Sequence, residues 1–315
     1  MDDRLLSVIV PARDAAATLP ALLAALEAQV DSGPFEVVVA DDGSRDATPE
    51  IARAAGALLT HTARPGSGPG AARNAGLALA RGSILAFTDA DCIPTPDWLR
   101  HGRAALAHAD LVQGSVLPPP GLPIGPFDRH IHVTAPRGLF ESANLLARRE
   151  LVERLGGFEP GVALRTGKEM GEDAWLGWRA VRSGARTAFC ADALVHHEVF
   201  PRSAAGLLAE RTRVRFFPEL ARRIPELRDT MFWGRLFLSR RSAAFDLALV
   251  GLGVGVRSRH VGTCCAAIPY LVIAVSSTRH HGRRRPWSTL VYIAADAVGA
   301  AALAVGSVRA RTAVL

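Results

Sequence analysis

The sequence predicts a doubly wound α/β domain on a Rossmann-like mixed sheet, followed by a helical, apolar and basic C-terminal region. Three observations carry this reading. Short β-branched runs alternate with Ala/Leu-rich helical segments through the front of the chain. Three strand ends carry polar clusters, at Arg13/Asp14, Asp41/Asp42 and Asp89/Asp91, where ligands of open α/β sheets gather. Charge also divides the chain: from Arg202 onward there are 18 arginines against six acids, +12, which leaves −5 for the first 201 residues of a chain totalling +7.

Leu5–Val10 reads as a buried parallel strand ending at Pro11. Ala15–Val30 has helical spacing, and Phe35–Ala40 is a second buried strand that stops at Asp41-Asp42-Gly43-Ser44. Thr48–Ala55 is expected as a helix with Thr48 as N-cap and Pro49 at the first position. Ala57–Thr60 is a weak strand, Gly70–Ala80 a helix, and Ile84–Thr88 a strand running into Asp89-Ala90-Asp91. Leu117–Gly138, rich in Pro and Gly, reads as a long mobile loop able to close over a ligand. Helices are expected over Asn144–Gly157 and Glu172–Ser183, then a short strand Thr187–Ala191 before His196-His197.

Behind Pro201 the character changes. Ala204–Glu219 reads as a basic helix, and three apolar stretches follow: Ala243–Val256, Val261–Ser277 and Thr289–Val308. The expected division is a nucleotide-binding catalytic domain over 1–200, a basic helical connector over 201–242, and apolar helices over 243–315. Arginines flank every apolar stretch, so a two-span hairpin would leave one basic cluster outside, against the positive-inside rule. Helices lying on, or dipping into, an anionic cytoplasmic leaflet fit better than true spans; a helical subdomain packed on the catalytic domain is the alternative. The acidic start and the shortness of Leu5–Val10 give no sign of a signal peptide. Cys92, Cys190, Cys264 and Cys265 show no zinc spacing and read as free thiols.

Asp89-Ala90-Asp91 places two carboxylates at a strand end, where they can converge on Mg²⁺ or Mn²⁺ and so clamp a diphosphate, or simply form a solvated turn. Asp41-Asp42 can accept hydrogen bonds from a base or ribose, or cap its own strand. Arg73-Asn74 opens a helix and could meet a phosphate. Glu172-Asp173 opens another, where acids favour the helix dipole and one could act as general base. Of His196-His197 only one can face a metal, because neighbours on an extended segment point oppositely. Gly66-Ser67-Gly68-Pro69-Gly70-Ala71 fits G-x-G-x-x-A, but it follows a weak strand, the first strand has no glycine loop, and two prolines stiffen it.

Six blocks in order resemble family 2 inverting glycosyltransferases: S-V-I-V-P-A-R-D from Ser7, V-V-V-A-D-D-G-S-R-D-A-T from Val37, A-A-R-N-A-G-L from Ala71, F-T-D-A-D from Phe87, R-R-E-L-V-E-R-L-G-G-F from Arg148 and G-E-D-A-W-L-G-W-R from Gly171. The resemblance implies a GT-A fold and transfer of a sugar from a nucleotide-diphosphate donor to an acceptor hydroxyl, aided by Mn²⁺ or Mg²⁺. By position it implies that Pro11, Arg13 and Asp42 line the nucleoside site with Arg73 close by. Asp89 would meet the ribose or metal side, and Asp91 the metal. His197 would contact metal or phosphate, Asp173 would be the base, and Glu172 would support the acceptor site. Two departures stand out. Arg13 replaces an aromatic, and the Q-x-x-R-W signature of processive synthases is missing, which favours single transfers.

The expected acceptor is a lipid, glycan or other envelope hydroxyl at a membrane surface. A polyprenyl-phosphate sugar transferase is the alternative within the fold. A basic nucleic-acid-binding protein or an NAD-dependent enzyme are the alternatives outside it; the tail aromatics match no nucleic-acid-binding pattern, and nucleic acid is not an expected partner.

Overall fold

A computed structural model describes residues 5–163 and 169–315. The chain forms two compact units: one runs up to Leu122 and resumes over His130–Val199, the other comprises Pro123–Arg129 and Phe200–Leu315.

In the first unit the elements are β1 (Leu6–Ala12), α1 (Leu19–Glu27), β2 (Phe35–Asp41), α2 (Thr48–Ala54), β3 (Leu58–His61), α3 (Pro69–Leu79), β4 (Ile84–Thr88), β5 (Cys92–Pro94), α4 (Trp98–Leu106), β6 (Leu111–Leu117), β7 (Asn144–Arg148), α5 (Arg149–Arg154), a two-residue hairpin β8 (Val162–Ala163) and β9 (Glu169–Met170), α6 (Glu172–Arg182) and β10 (Thr187–His197). Eight strands make one sheet in the order β3-β2-β1-β4-β7-β6-β10-β5. β1 pairs in parallel with β2 and β4, β7 runs antiparallel between β4 and β6, and β5 runs antiparallel on β10.

Both faces of the sheet are covered, which is why its strands read as continuous apolar runs. Side chains alternate between two cores. Val8, Val10, Ala86 and Leu146 enter one with Leu19, Leu22 and Trp98; Ile9, Leu85, Phe87 and Leu145 enter the other with Leu151, Phe158 and Leu176. Helix α3 lies close on β1, since a Cβ at Gly76 would stand 2.5 Å from Ile9 Cγ2.

The structure differs from expectation in four places. Residues 144–148 form a strand rather than the start of a helix; Leu145, Leu146 and Ala147 are fully buried, and a short apolar run on a two-sided sheet cannot be told from a buried helix by period. The elements β5, α4 and β6 were not expected, and β10 runs on to His197 through a register shift between Cys190 and Leu194. Finally, the Leu117–Gly138 stretch is not one uninterrupted loop: Val133 bridges to Val116, and residues 123–129 belong to the helical unit.

The second unit contains α7 (Ala204–Arg211), a 3-10 turn Thr212–Phe216, α8 (Phe217–Arg223), α9 (Leu227–Thr230), α10 (Arg240–Ser258), a 3-10 segment Val261–Ala267, α11 (Ile268–Ser277) and α12 (Arg285–Ala310). The expected basic helix over 204–219 is thus broken after Arg211. Residues 201–242 and 243–315 share this unit, and position 242 falls inside α10. Asp296, the acid inside the last apolar stretch, accepts from Arg241 Nε at 2.7 Å and from Tyr270 Oη at 2.8 Å, so α10, α11 and α12 close around a compensated charge. Among the described residues one helix, Gly282–Ala310, is long and apolar enough to cross a membrane.

Candidate functional site

The site is built at the carboxyl ends of β1, β2 and β4 and at the start of α6. At the end of β2 the adjacent aspartates divide their work. Asp41 turns back and accepts from the N–H groups of Gly43 (3.2 Å) and Ser44 (3.1 Å), with His61 Nδ1 at 3.2 Å. Burial opposes its ionisation, but hydrogen bonds from Ser44, His61 and Gly43 outweigh it and hold the carboxyl below the usual range. Asp42 points the other way, into the glycine-rich loop. It accepts from Thr62 Oγ1 (2.8 Å), Ser67 N–H (2.9 Å) and Gly68 N–H (2.9 Å), with Arg13 Nη1 at 4.0 Å. The G-x-G-x-x-A segment therefore cradles a carboxylate of its own chain, and α3 starts from that anchor. Pro11 lies in β1 opposite Ala40, next to this corner.

Arg73, in the second turn of α3, was expected close to the nucleoside site. Its side chain is 3% exposed, with Nη2 2.7 Å from Asp89 Oδ1 and Nη1 3.2 Å from Glu172 Oε1. A buried guanidinium must be paired, and two carboxylates do it here. Glu172, expected to support an acceptor, is a buried counter-ion of Arg73. Phe158 lies under the guanidinium, 5.5 Å from its ring centre. The next residue, Asn74, exchanges two hydrogen bonds with the Phe158 backbone, at 2.7 and 2.8 Å. Three separate sequence blocks are thus tied together through Arg73 and Asn74.

Asp173 follows Glu172 in the first turn of α6. Its Oδ1 accepts from Ala174 N–H at 2.8 Å, and its Oδ2 accepts from Ser142 N–H at 3.2 Å and Ser142 Oγ at 3.4 Å. Burial, reinforced by the Glu172 charge and opposed by Arg73, pushes its carboxyl up to about 7. A carboxylate at that value is matched to accepting a proton near neutral pH.

The fourth feature is a carboxylate–imidazole pair. Antiparallel pairing sets His197 opposite Cys92, and Glu198 N–H donates to Asp91 O at 2.9 Å. His197 Nε2 consequently stands 3.4 Å from Asp91 Oδ1. Its Nδ1 donates to the Glu198 carbonyl at 2.9 Å, which turns the Nε2 lone pair toward Asp91. His196 faces away, to the Pro118 carbonyl. Ligand atoms of Asp91, Cys92 and His197 lie within 4.8 Å of one another. The Cys92 thiol is pushed up by burial and by Asp89 and Asp91, and it lies 3.9 Å from the Ala143 carbonyl. The Asp91 carboxylate and the His197 imidazole are a donor set that fits a divalent cation.

The structure thus joins Arg73 with Asp89 and Glu172, sets Asp173 beside them, pairs Asp91 with His197, and brings Arg13 near Asp42. Ser142 and Phe158 were not anticipated, and Asn74 was singled out only as a possible phosphate contact. Asn74 and Phe158 stood in quoted blocks, but neither spacing nor period links positions 84 residues apart.

The model of the family described as "Glycosyl transferase family 2" matches residues 7–149. "Glycosyltransferase AglE" of Haloferax volcanii is 31% identical over 212 residues, which cover 62% of this chain and 67% of that one. "Undecaprenyl-phosphate 4-deoxy-4-formamido-L-arabinose transferase" of Aeromonas hydrophila is 35% identical over 119 residues, 35% of this chain and 36% of that protein. Among solved structures, mannosyltransferase PcManGT of Pyrobaculum calidifontis in complex with GDP-Man and Mn²⁺ superposes with a TM-score of 0.62 at 23% identity, over 94% of this chain and 86% of that one. The likeness shows the fold, which is GT-A. On sequence and fold together, the chain belongs to glycosyl transferase family 2.

Proposed function

We propose that this glycosyltransferase moves a sugar, with inversion, from a nucleoside diphosphate to an acceptor hydroxyl at a membrane surface. The observation that carries the reading is Arg73, which ties Asp89, of the metal-side D-x-D, to Glu172, the neighbour of the base. One buried cation therefore fixes the distance between leaving group and base. Asp91 and His197 would hold Mn²⁺ or Mg²⁺, which when bound supplies positive charge to the diphosphate. Asp173 takes the acceptor's proton as the acceptor oxygen bonds to the anomeric carbon and the bond from that carbon to the diphosphate breaks. The Asp42-anchored loop and Arg13 shape the nucleoside end.

The membrane part rests on the second unit. Leu247, Leu249, Val250, Val254, Val256, Leu271 and Val272 are exposed on α10 and α11, far more apolar surface than a solvated helix pair carries. Arg257, Arg259, Arg279 and Arg283 flank them, which suits an anionic lipid leaflet.

The purified chain should be offered UDP-, GDP- and dTDP-sugars with and without Mn²⁺, following release of nucleoside diphosphate. Release from one donor class, abolished by chelator, supports the reading. NAD(H) binding with no release from any donor refutes it. Sedimentation with phosphatidylglycerol vesicles at low salt tests the membrane part separately; an intact chain left in the supernatant refutes that part.

A further inference from the structure

We propose that Glu141 and Ser142, carried on a strap at residues 138–142, are positioning residues that aim and tune Asp173, an inference that rests on the reading of Asp173 as the base. The strap, α6 and the strands that hold them all lie in the first unit.

The strap is fixed at three points. Upstream, Trp178 Nε1 donates to the Gly138 carbonyl at 2.9 Å. In the middle, the Phe140 ring stands edge-on to Trp178, with 6.1 Å between ring centres, and packs on Gly177. A Cβ at Gly177 would stand 2.1 Å from Phe140 Cγ, so any side chain there would push the strap off the helix. Downstream, the chain enters β7 at Asn144, whose amide donates to the Ser115 and Ala193 carbonyls at 2.7 Å each. Gly177 lies one turn on from Asp173, so strap and base share a face of α6. Phe140 holds a φ of +50°, in the left-handed region that bulky residues rarely enter. Such a conformation persists where its surroundings enforce it, and such residues gather at functional sites.

The strap brings two groups to the base. Ser142 is 2% exposed, and its N–H and its hydroxyl both donate to Asp173 Oδ2. With Ala174 N–H on Oδ1, three donors fix the plane of the carboxyl. Glu141 accepts from the amide of Gln113 on β6, and Arg137 Nη2 lies 3.9 Å from its other oxygen. Gln113 is 3% exposed on a sheet covered on both faces, where a polar side chain is costly unless bonded, and its amide is committed to Glu141. Besides burial, the charges that bear on Asp173 are Glu172 on its own helix, Arg73 from α3, which also holds Asp89, and Glu141 from the strap. Glu172 and Glu141 disfavour its ionised form and Arg73 favours it. Ser142 therefore sets where the carboxyl points, and the charge of Glu141 strengthens its hold on a proton.

Release of nucleoside diphosphate from UDP-, GDP- and dTDP-sugars with Mn²⁺, followed against pH in the full chain, tests the strap. Ser142→Ala should lower kcat about tenfold or more with donor KM unchanged, because a small misplacement of a reacting group is costly while the donor site is untouched. Glu141→Gln, which can still accept from Gln113, should move the acidic limb of the kcat profile to lower pH. A serine with a structural part alone would lower the melting temperature and leave kcat of the folded chain unchanged. Wild-type kcat in folded Ser142→Ala overturns the assignment of Ser142, and an unmoved acidic limb in Glu141→Gln overturns that of Glu141. If Ser142→Ala does not fold, the limb in Glu141→Gln decides the strap. An active Asp173→Asn variant would instead overturn the base itself.

Discussion

Asp173→Asn should make the protein inactive and, above neutral pH, more stable. The carboxyl stands at about 7 against an ordinary 3.8 because burial and Glu172 disfavour its charge. Each unit is worth about 1.4 kcal/mol, so ionising Asp173 in the fold at pH 8 costs up to about 4 kcal/mol. The side chain is partly open to solvent, which reduces the working figure to about 2 kcal/mol. The folded value is raised, so the native state carries no penalty below about pH 4 and loses stability as pH climbs through about 7. The amide does not titrate, but it can keep only one of the two acceptor roles toward Ser142 and Ala174, at about 1 kcal/mol. The variant should therefore gain about 1 kcal/mol at pH 8, a gain that turns into a loss of about 1 kcal/mol near pH 4. Urea unfolding with chelator present, at several pH values, reads this directly. In the same variant kcat should fall about 10²–10⁴-fold while donor KM changes little. A stability difference that does not change with pH, or a kcat within tenfold of wild type, would refute the reasoning.

Arg73→Met strips the cation from Glu172 and Asp89, whose side chains are 10% and 29% exposed, and should cost about 3–5 kcal/mol in urea unfolding; in the fraction that folds, the acidic limb of the pH–rate profile should move to higher pH, because Arg73 holds Asp173 down. Gly157→Ala puts a Cβ 2.5 Å from Asn74 Oδ1 at a φ of +74°, and should cost about 1–3 kcal/mol, measured as a lower melting temperature. Asp91→Asn and His197→Gln should each raise the Mn²⁺ concentration for half-maximal activity about tenfold or more; unaltered metal response would remove the pair from the metal site.

Three of the four strands up to Thr88 were legible as short apolar runs ending at a polar cluster, and both cues are local; Leu58–His61 lacks the cluster and read only as a weak strand. That only one of His196 and His197 could face a metal was legible from alternation on a strand, while the choice of His197 came from the resemblance; in the structure His197 meets Asp91 and His196 the Pro118 carbonyl. The role of Arg73 was not legible. Its partners lie 16 and 99 residues away, and only folding shows that an arginine near the start of a helix is buried between two carboxylates. Asp42 was half legible: the loop it anchors was read as a dinucleotide decoy, and nothing local says that the glycine N–H groups meet a carboxylate. The strand at Asn144 was missed because burial on both faces erases the alternation that would have marked it.

The anomeric configuration of the glycoside product, read by proton NMR, tests the central claim most directly. Direct attack by an acceptor oxygen on a donor held between the Asp91–His197 pair and Asp173 must invert the anomeric centre. An α-linked nucleotide sugar should therefore give a β-linked product in the wild type, with Asp173→Asn giving neither anomer at a comparable rate. Retention of configuration, or an active Asp173→Asn variant giving the same product, would contradict the account.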